Sequence, residues 1–377
     1  MGKSKKKVLF VANTAWYLLN FRLGVIRHFQ SRQFETVAVS PYDESCYALH
    51  AHGCRWISTD LEPRGTHPFR DACYWLQLYR IYSEEQPSLV IHYTIKPNIY
   101  GTLAARLLHI PSIAVISGAG YAFSQRGMLY HLAKFLLKVS LHFSSEVWFV
   151  NRDDRSFFIS EQVVDADKAY LFPGEGINTQ RFCPSRSQVS EPKEKVVFLF
   201  AGRLLREKGV ELYAQAARQL KPKYPHAEFH LLGFLSEGNP AFISKAELAQ
   251  WQDYVHYLGS TQNIIPYIES ADCLVLPSFY REGVPRILLE AASLEKPIIT
   301  TNHVGCRDVV EHGVNGFLVQ PRSASDLVEK MERMISMPRE ARMMMGKRGR
   351  LKVIQQFDES LVIRGYDEML NRLQLLS

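Results

Sequence analysis

The strand and helix patterns of this 377-residue chain run through one cycle, stop at a polar stretch, and start again. Short apolar, β-rich runs at 8–12, 35–40, 55–58, 89–93, 112–116, 147–150 and 170–172 alternate with segments of helical spacing. Residues 184–195, PSRSQVSEPKEK, have no apolar period and read as a linker. Strand patterns then recur at 196–201, 228–232, 255–258, 273–277, 297–301 and 317–319, and helical spacing fills 324–337, 338–357 and 361–375. Alternation of this kind builds parallel sheets covered by helices. Two cycles predict an α/β chain of two Rossmann-like, doubly wound domains facing a cleft. The expected boundaries are 1–184, 185–357, and a C-terminal helix at 358–377 packing back on the first domain.

The totals narrow the function. Hydrophobic residues make up 46% and charged residues 22%, enough apolar material for full cores in a soluble protein. A net charge of +7 favours acidic partners: nucleotide phosphates, anionic lipid or nucleic acid. No RNA-binding or zinc-finger signature supports nucleic acid. The six cysteines are scattered without a C-x-x-C pair, which fits a reducing compartment. The basic start MGKSKKK leads into VLFVAN, too short for a signal-peptide core. No run approaches the ~20 apolar residues of a membrane span. The chain is therefore expected in the cytoplasm, free or held peripherally on a membrane.

Chemistry concentrates at 281–297, REGVPRILLEAASLEKP. Pro285 suits the first turn of a helix. Glu282 then falls in the loop before that helix and Glu290 in its second turn. Gly283 lets the backbone approach a ligand, and the first-turn N–H groups can face a phosphate. Carboxylates accept hydrogen bonds, so two of them can hold sugar or ribose hydroxyls on either side of a diphosphate. A surface loop followed by an ordinary amphipathic helix fits the E-x7-E spacing equally well.

Other candidates sit after strands, where doubly wound sheets bind ligands. Gly202, Arg203 and Lys208 follow the first strand of the second cycle, and two cations there suit a phosphate. A solvated charged turn is the plain alternative. In the first cycle Asn13, Thr14, Asn20 and Arg22 follow the first strand, where Asn13 or Thr14 also suits simple helix capping. His92, Lys96 and Asn98 are expected to point into the cleft, although a satisfied core histidine would look the same in sequence. Gly118 and Gly120 form a short glycine loop, a weak signal alone. Residues 126–143, RGMLYHLAKFLLKVSLHF, form a basic amphipathic helix that suits either an anionic bilayer or the flank of a sheet.

Together these segments resemble the retaining glycosyltransferases of family four, whose two-Rossmann-domain architecture is called B-type. The resemblance rests on GRLLREKGV at 202–210, on REGVPRILLEAASLEKPIITTNHVGCRDVVEHGVNGFLV at 281–319, and on PGEGINTQRFCP at 173–184. It extends over nearly the whole chain. It implies that Arg203 and Lys208 bind the donor diphosphate and that Glu290 holds the ribose. Glu282, Gly283, Val284 and Pro285 would hold the donor sugar, with Gly202 beside it. Asn13, His92, Lys96, Asn98 and Gly118 would meet the acceptor. The family needs no metal and no cofactor beyond the UDP-sugar. Two features depart from the pattern: Asn13-Thr14-Ala15-Trp16 replaces a common glycine-rich loop, and no histidine stands at Ser117-Gly118. FVANTAWYLLNFR at 10–22 and HYTIKPNIYG at 92–101 look like a bacterial subgroup that extends sugars on undecaprenyl-diphosphate, often with N-acetylgalactosamine or a related sugar. That implies a lipid-diphosphate-linked sugar acceptor at the inner face of the cytoplasmic membrane. A nucleotide-sugar epimerase on the same fold and a non-catalytic subunit of a transferase complex are the rival readings.

Overall fold

The computed structural model describes residues 5–62, 67–118, 127–185, 195–235, 239 and 241–376. The chain forms two compact units, Met1–Gly176 with Glu359–Ser377, and Ile177–Asp358. In the first unit the strands are β1 (Lys7–Val11), β2 (Glu35–Ser40), β3 (Arg55–Ser58), β4 (Leu89–Tyr93), β5 (Ser112–Ile116), β6 (Glu146–Phe149) and β7 (Ala169–Leu171). They lie in the order β3-β2-β1-β4-β5-β6-β7, every pair parallel. Helices α1 (Ala15–Ser31), α2 (Ser45–Ala51), α3 (Pro68–Glu85), α4 (Thr102–Leu107), α5 (Met128–His142) and α6 (Arg152–Ser160) connect them, with a π turn at Pro97–Gly101 leading into α4.

Side chains that alternate along a strand feed opposite faces of this sheet. Val8 and Phe10 of β1 join the core beneath α1 and α2, while Leu9 and Val11 join the core beneath α3 and α4. Trp148 of β6 points to the first of these faces, and Val147 and Phe149 pack with Tyr130, Leu137 and Leu141 of α5. Buried on both sides, the inner strands β1, β2, β4, β5 and β6 read as largely apolar runs, which is why their positions were legible in the sequence.

The second unit repeats the plan with β8 (Val196–Ala201), β9 (Ala227–Leu232), β10 (His256–Tyr257), β11 (Cys273–Leu276), β12 (Ile298–Thr301) and β13 (Gly316–Val319). Their order is β10-β9-β8-β11-β12-β13, again parallel. The helices are α7 (Val210–Leu220), α8 (Lys245–Gln250), α9 (Ile265–Ser270), α10 (Arg286–Ser293), α11 (Cys306–Val309), α12 (Ala324–Ser336) and α13 (Arg339–Gln356). In each sheet the order reverses at one place, between β1 and β4 and between β8 and β11. Successive loops diverge there and leave room for a ligand at the carboxyl edge.

The last helix, α14 (Glu359–Arg372), belongs to the first unit. Its Val362, Tyr366, Met369 and Leu370 are buried in that unit's core. The Tyr366 and Tyr93 hydroxyls lie 2.8 Å apart, and Arg372 pairs with Glu146 at 2.7 Å. The chain leaves the first unit at Gly176, ahead of the expected boundary at 184, because Ile177 and Phe182 are already buried in the second unit's core. Residues 186–194 of the polar stretch, Gly120 and Arg126 lie outside the described residues.

Candidate active site

The reversal point of the second sheet brings together the loops after β8 and β11. After β8, a 3-10 turn at Arg206–Lys208 ends on Gly209, whose φ is 82°. A Cβ at Gly209 would stand 2.2 Å from the Pro277 carbonyl oxygen, so only glycine allows the loops to meet this closely. The Glu207 carbonyl accepts the N–H groups of Phe279 at 3.0 Å and Tyr280 at 3.2 Å. Those bonds fix the β11 loop against the β8 loop.

Two charged side chains meet across this junction. Lys208 Nζ lies 2.5 Å from Glu282 Oε2, with the side chains 14% and 11% exposed. The Ser278 hydroxyl donates to the other Glu282 oxygen at 2.6 Å. A third loop, after β12, closes on the same place. Gly305 has a φ of 77°, and a Cβ there would stand 1.4 Å from the Gly283 carbonyl oxygen.

Pro285 is the N-cap of α10, with φ −62° and ψ 118°, one position ahead of the first helical residue. Val284 is buried beside it. Glu290 in the second turn pairs with Arg286 at 3.0 Å. Burial raises the Glu290 carboxyl above its ordinary value, and the Arg286 charge opposes that rise. Arg203 is half-buried, and its side chain has no hydrogen-bond or ion-pair partner among the described residues. Gly202 beside it has a φ of 154° and open space where a Cβ would stand. The structure thus brings Lys208 and Glu282 into contact and places Arg203 and Glu290 on the same carboxyl edge.

Sequence reasoning missed the β12 loop. His303 is held below its ordinary pKa, first by burial and then by the charges of Arg281 and Arg307. Its Nδ1 is buried without a hydrogen-bond partner among the described residues. The signal was available: Asn302-His303-Val304-Gly305 follows a central strand of the same sheet, as the β8 and β11 loops do.

In the first unit three expected site residues are instead structural. His92 is fully buried, with Nε2 3.0 Å from the Tyr82 hydroxyl and Nδ1 3.3 Å from the Thr102 hydroxyl. It faces the helices beside the sheet rather than the sheet edge, and burial pushes its pKa down to about 3. Lys96 pairs with Asp71 of α3 at 2.7 Å, inside the unit. Asn98 is 1% exposed and donates to the Val115 carbonyl at 2.9 Å, tying the π turn to β5. Its Oδ1, without a hydrogen-bond partner among the described residues, borders a cavity about the size of one water, which Gly118 also lines. Thr14 caps α1 by accepting the Tyr17 N–H at 3.1 Å, and Asn13 stays half-buried at the end of β1. Arg22 is buried as well, paired with Glu175, bonded to the Tyr17 hydroxyl at 2.8 Å and lying 4.6 Å from the Tyr93 ring centre. Asn13 and Gly118 remain as acceptor-side candidates.

The family models match in two blocks. Residues 184–352 match glycosyl transferases group 1, and residues 7–151 match a glycosyl transferase 4-like model. Between them the matches take in most of the chain. The chain belongs to this glycosyltransferase family. Among its relatives is the N,N'-diacetylbacillosaminyl-diphospho-undecaprenol alpha-1,3-N-acetylgalactosaminyltransferase of Campylobacter jejuni, 26% identical over 97% of this chain and 99% of the relative. Another is the UDP-Gal:alpha-D-GlcNAc-diphosphoundecaprenol alpha-1,3-galactosyltransferase of Escherichia coli, 24% identical over 68% of this chain and 69% of the relative. The fold is shared with Anabaena Alr3699/HepE, solved in complex with UDP, at a TM-score of 0.79, 18% identity, and coverage of 97% and 100%.

The glycosyltransferase has the two Rossmann-like domains that the sequence pattern implied and the B-type architecture that the family resemblance implied. Its second-unit edge suits an anionic leaving group. Lys208 is fixed by Glu282, and Arg203, which has no ion-pair partner among the described residues, can hydrogen-bond a phosphate. Preorganised cations of this kind stabilise charge that develops in a transition state.

Proposed function

We propose that this glycosyltransferase moves a hexose or N-acetylhexosamine from a UDP-sugar to the sugar of an undecaprenyl-diphosphate-linked acceptor, with retention at the anomeric carbon. The carrying observation is the second-unit edge, where the Lys208–Glu282 pair and Arg203, unpartnered among the described residues, lie on loops locked together by Gly209, Glu207 and Gly305. The names of the Campylobacter and Escherichia relatives support the acceptor class.

In this reading Arg203 and Lys208 hold the donor diphosphate, Glu290 the ribose, and Glu282 with the backbone of Gly283 and Val284 the donor sugar. The acceptor hydroxyl oxygen bonds to the anomeric carbon as the bond to the diphosphate oxygen breaks on the same face. The leaving diphosphate takes the hydroxyl proton. The two cations stabilise the departing charge without need of a metal. The lipid of the acceptor would keep the enzyme at the cytoplasmic face of the membrane.

The test is incubation with labelled UDP-sugars, with and without a lipid-diphosphate-linked sugar and with and without chelator. Acceptor-dependent, chelator-resistant transfer giving an α-linked product supports the reading. Acceptor-independent conversion of the sugar nucleotide would make the protein an epimerase. Donor binding or turnover absent in every arm would make it a non-catalytic subunit.

A further inference from the structure

The helix α5 carries two apolar faces, and the core needs only one. Tyr130, Ala133, Leu137 and Leu141 are buried against β5 and β6. Met128, Leu132, Phe135, Val139 and Phe143 recur at the same helical spacing on the outer side, and they are 89%, 49%, 63%, 38% and 40% exposed. A stripe three to four residues apart lies along one line of a helix. At ~1.5 Å per residue it runs for roughly 22 Å. Apolar residues exposed singly are normal, but a contiguous line of them marks an interaction surface.

The flanking charges say what covers it. The sequence of α5, MLYHLAKFLLKVSLH, contains no aspartate or glutamate. Lys134 turns inward to Glu161 at 2.5 Å, whereas His131, Lys138 and His142 lie exposed beside the stripe. Arg106 of α4, also exposed, lies over the Phe143 ring at 5.5 Å and extends the cationic margin. In a symmetric contact between two copies these cations would face their own kind, because both sides present the same patch. An apolar line with a cationic margin instead matches an anionic bilayer, with the rings among the acyl chains and the cations at the phosphates.

We infer that α5 is the surface by which this enzyme lies on an anionic membrane, with Leu132 and Phe135 entering the lipid. This deepens the membrane side of the proposed function and rests on that reading only for why the enzyme should be at a membrane. The test is co-sedimentation of the full chain with vesicles of phosphatidylcholine alone or mixed with phosphatidylglycerol. The wild type should bind the mixed vesicles, and more weakly as salt rises. The double substitution Leu132→Asp with Phe135→Asp should weaken that binding by at least about tenfold. Because both residues are exposed, its melting temperature and its transfer to a short, water-soluble acceptor should stay as in the wild type. Lys138→Gln should weaken binding less and flatten the salt dependence. A wild type that stays in solution, or a double variant that binds as well, overturns the inference. So does a concentration-dependent dimer that the same substitutions dissolve, because the stripe would then belong to a second copy. Vesicle binding uses no donor, so a failure of the transferase reading would leave this result standing.

Discussion

Lys208 and Glu282 are 74 residues apart in the chain and 2.5 Å apart in the fold. Both are mostly buried, so removing one leaves the other stranded. Lys208→Ala is therefore expected to cost about 1–3 kcal/mol of stability besides its effect on turnover. Arg203 has no partner to strand among the described residues. Arg203→Ala is expected to lower kcat by ~10²–10³ and to change unfolding free energy by no more than about 0.5 kcal/mol. Denaturant melts alongside turnover assays check both. Loss of stability equal to that of Lys208→Ala would mean that Arg203 is structural. His92 makes the opposite prediction. Its folded pKa of about 3 lies below the ordinary histidine value of 6.5, so the unfolded chain binds the proton first. Its contribution to stability is whole above pH 6.5 and is lost as pH falls toward 3, by about 1.4 kcal/mol per unit. His92→Gln should flatten that acid limb while leaving transfer at neutral pH to the protein that remains folded. An unchanged acid limb would contradict the buried, neutral assignment.

At the scale of elements, the inner strands were legible because burial on both faces makes them largely apolar runs, as in LVIHY of β4. The short helices α2 and α4 were not, since neither is long enough to show a clear period. The loops after β8 and β11 were legible as loops because glycine, proline and charge cluster at strand ends. The burial of His92, Lys96 and Asn98 was not legible, because it depends on distant partners. Tyr82 and Thr102 arrive from different helices to bond His92, and Asp71 arrives from α3 to pair with Lys96. No local pattern contains those meetings. The β12 loop offers the sharpest test at this scale. Gly305→Ala places a Cβ against the Gly283 carbonyl at a φ of 77°. The strain is expected to be ~1–3 kcal/mol, displacing the Glu282 loop and raising the donor KM more than it lowers the melting temperature. An unchanged KM would separate this loop from the site.

For the whole molecule, two units with separate cores predict unfolding that is not a single two-state step. The first unit depends on its last helix. Val362, Tyr366, Met369 and Leu370 are buried there, and each is worth roughly 1.5–3 kcal/mol against a typical domain stability of ~5–15 kcal/mol. Deleting 359–377 should abolish the first unit's calorimetric transition and keep the second unit's. Loss of both, or of neither, would contradict the division. In the proposed function the carboxyl edge of the second sheet holds the UDP moiety of the donor. Calorimetric titration of UDP into the full chain tests it directly, with Arg203→Ala and Glu290→Gln as comparisons. The wild type should bind UDP, and each variant should bind it at least about tenfold more weakly, about 1.4 kcal/mol apiece. Equal affinity in all three proteins would place the nucleotide elsewhere.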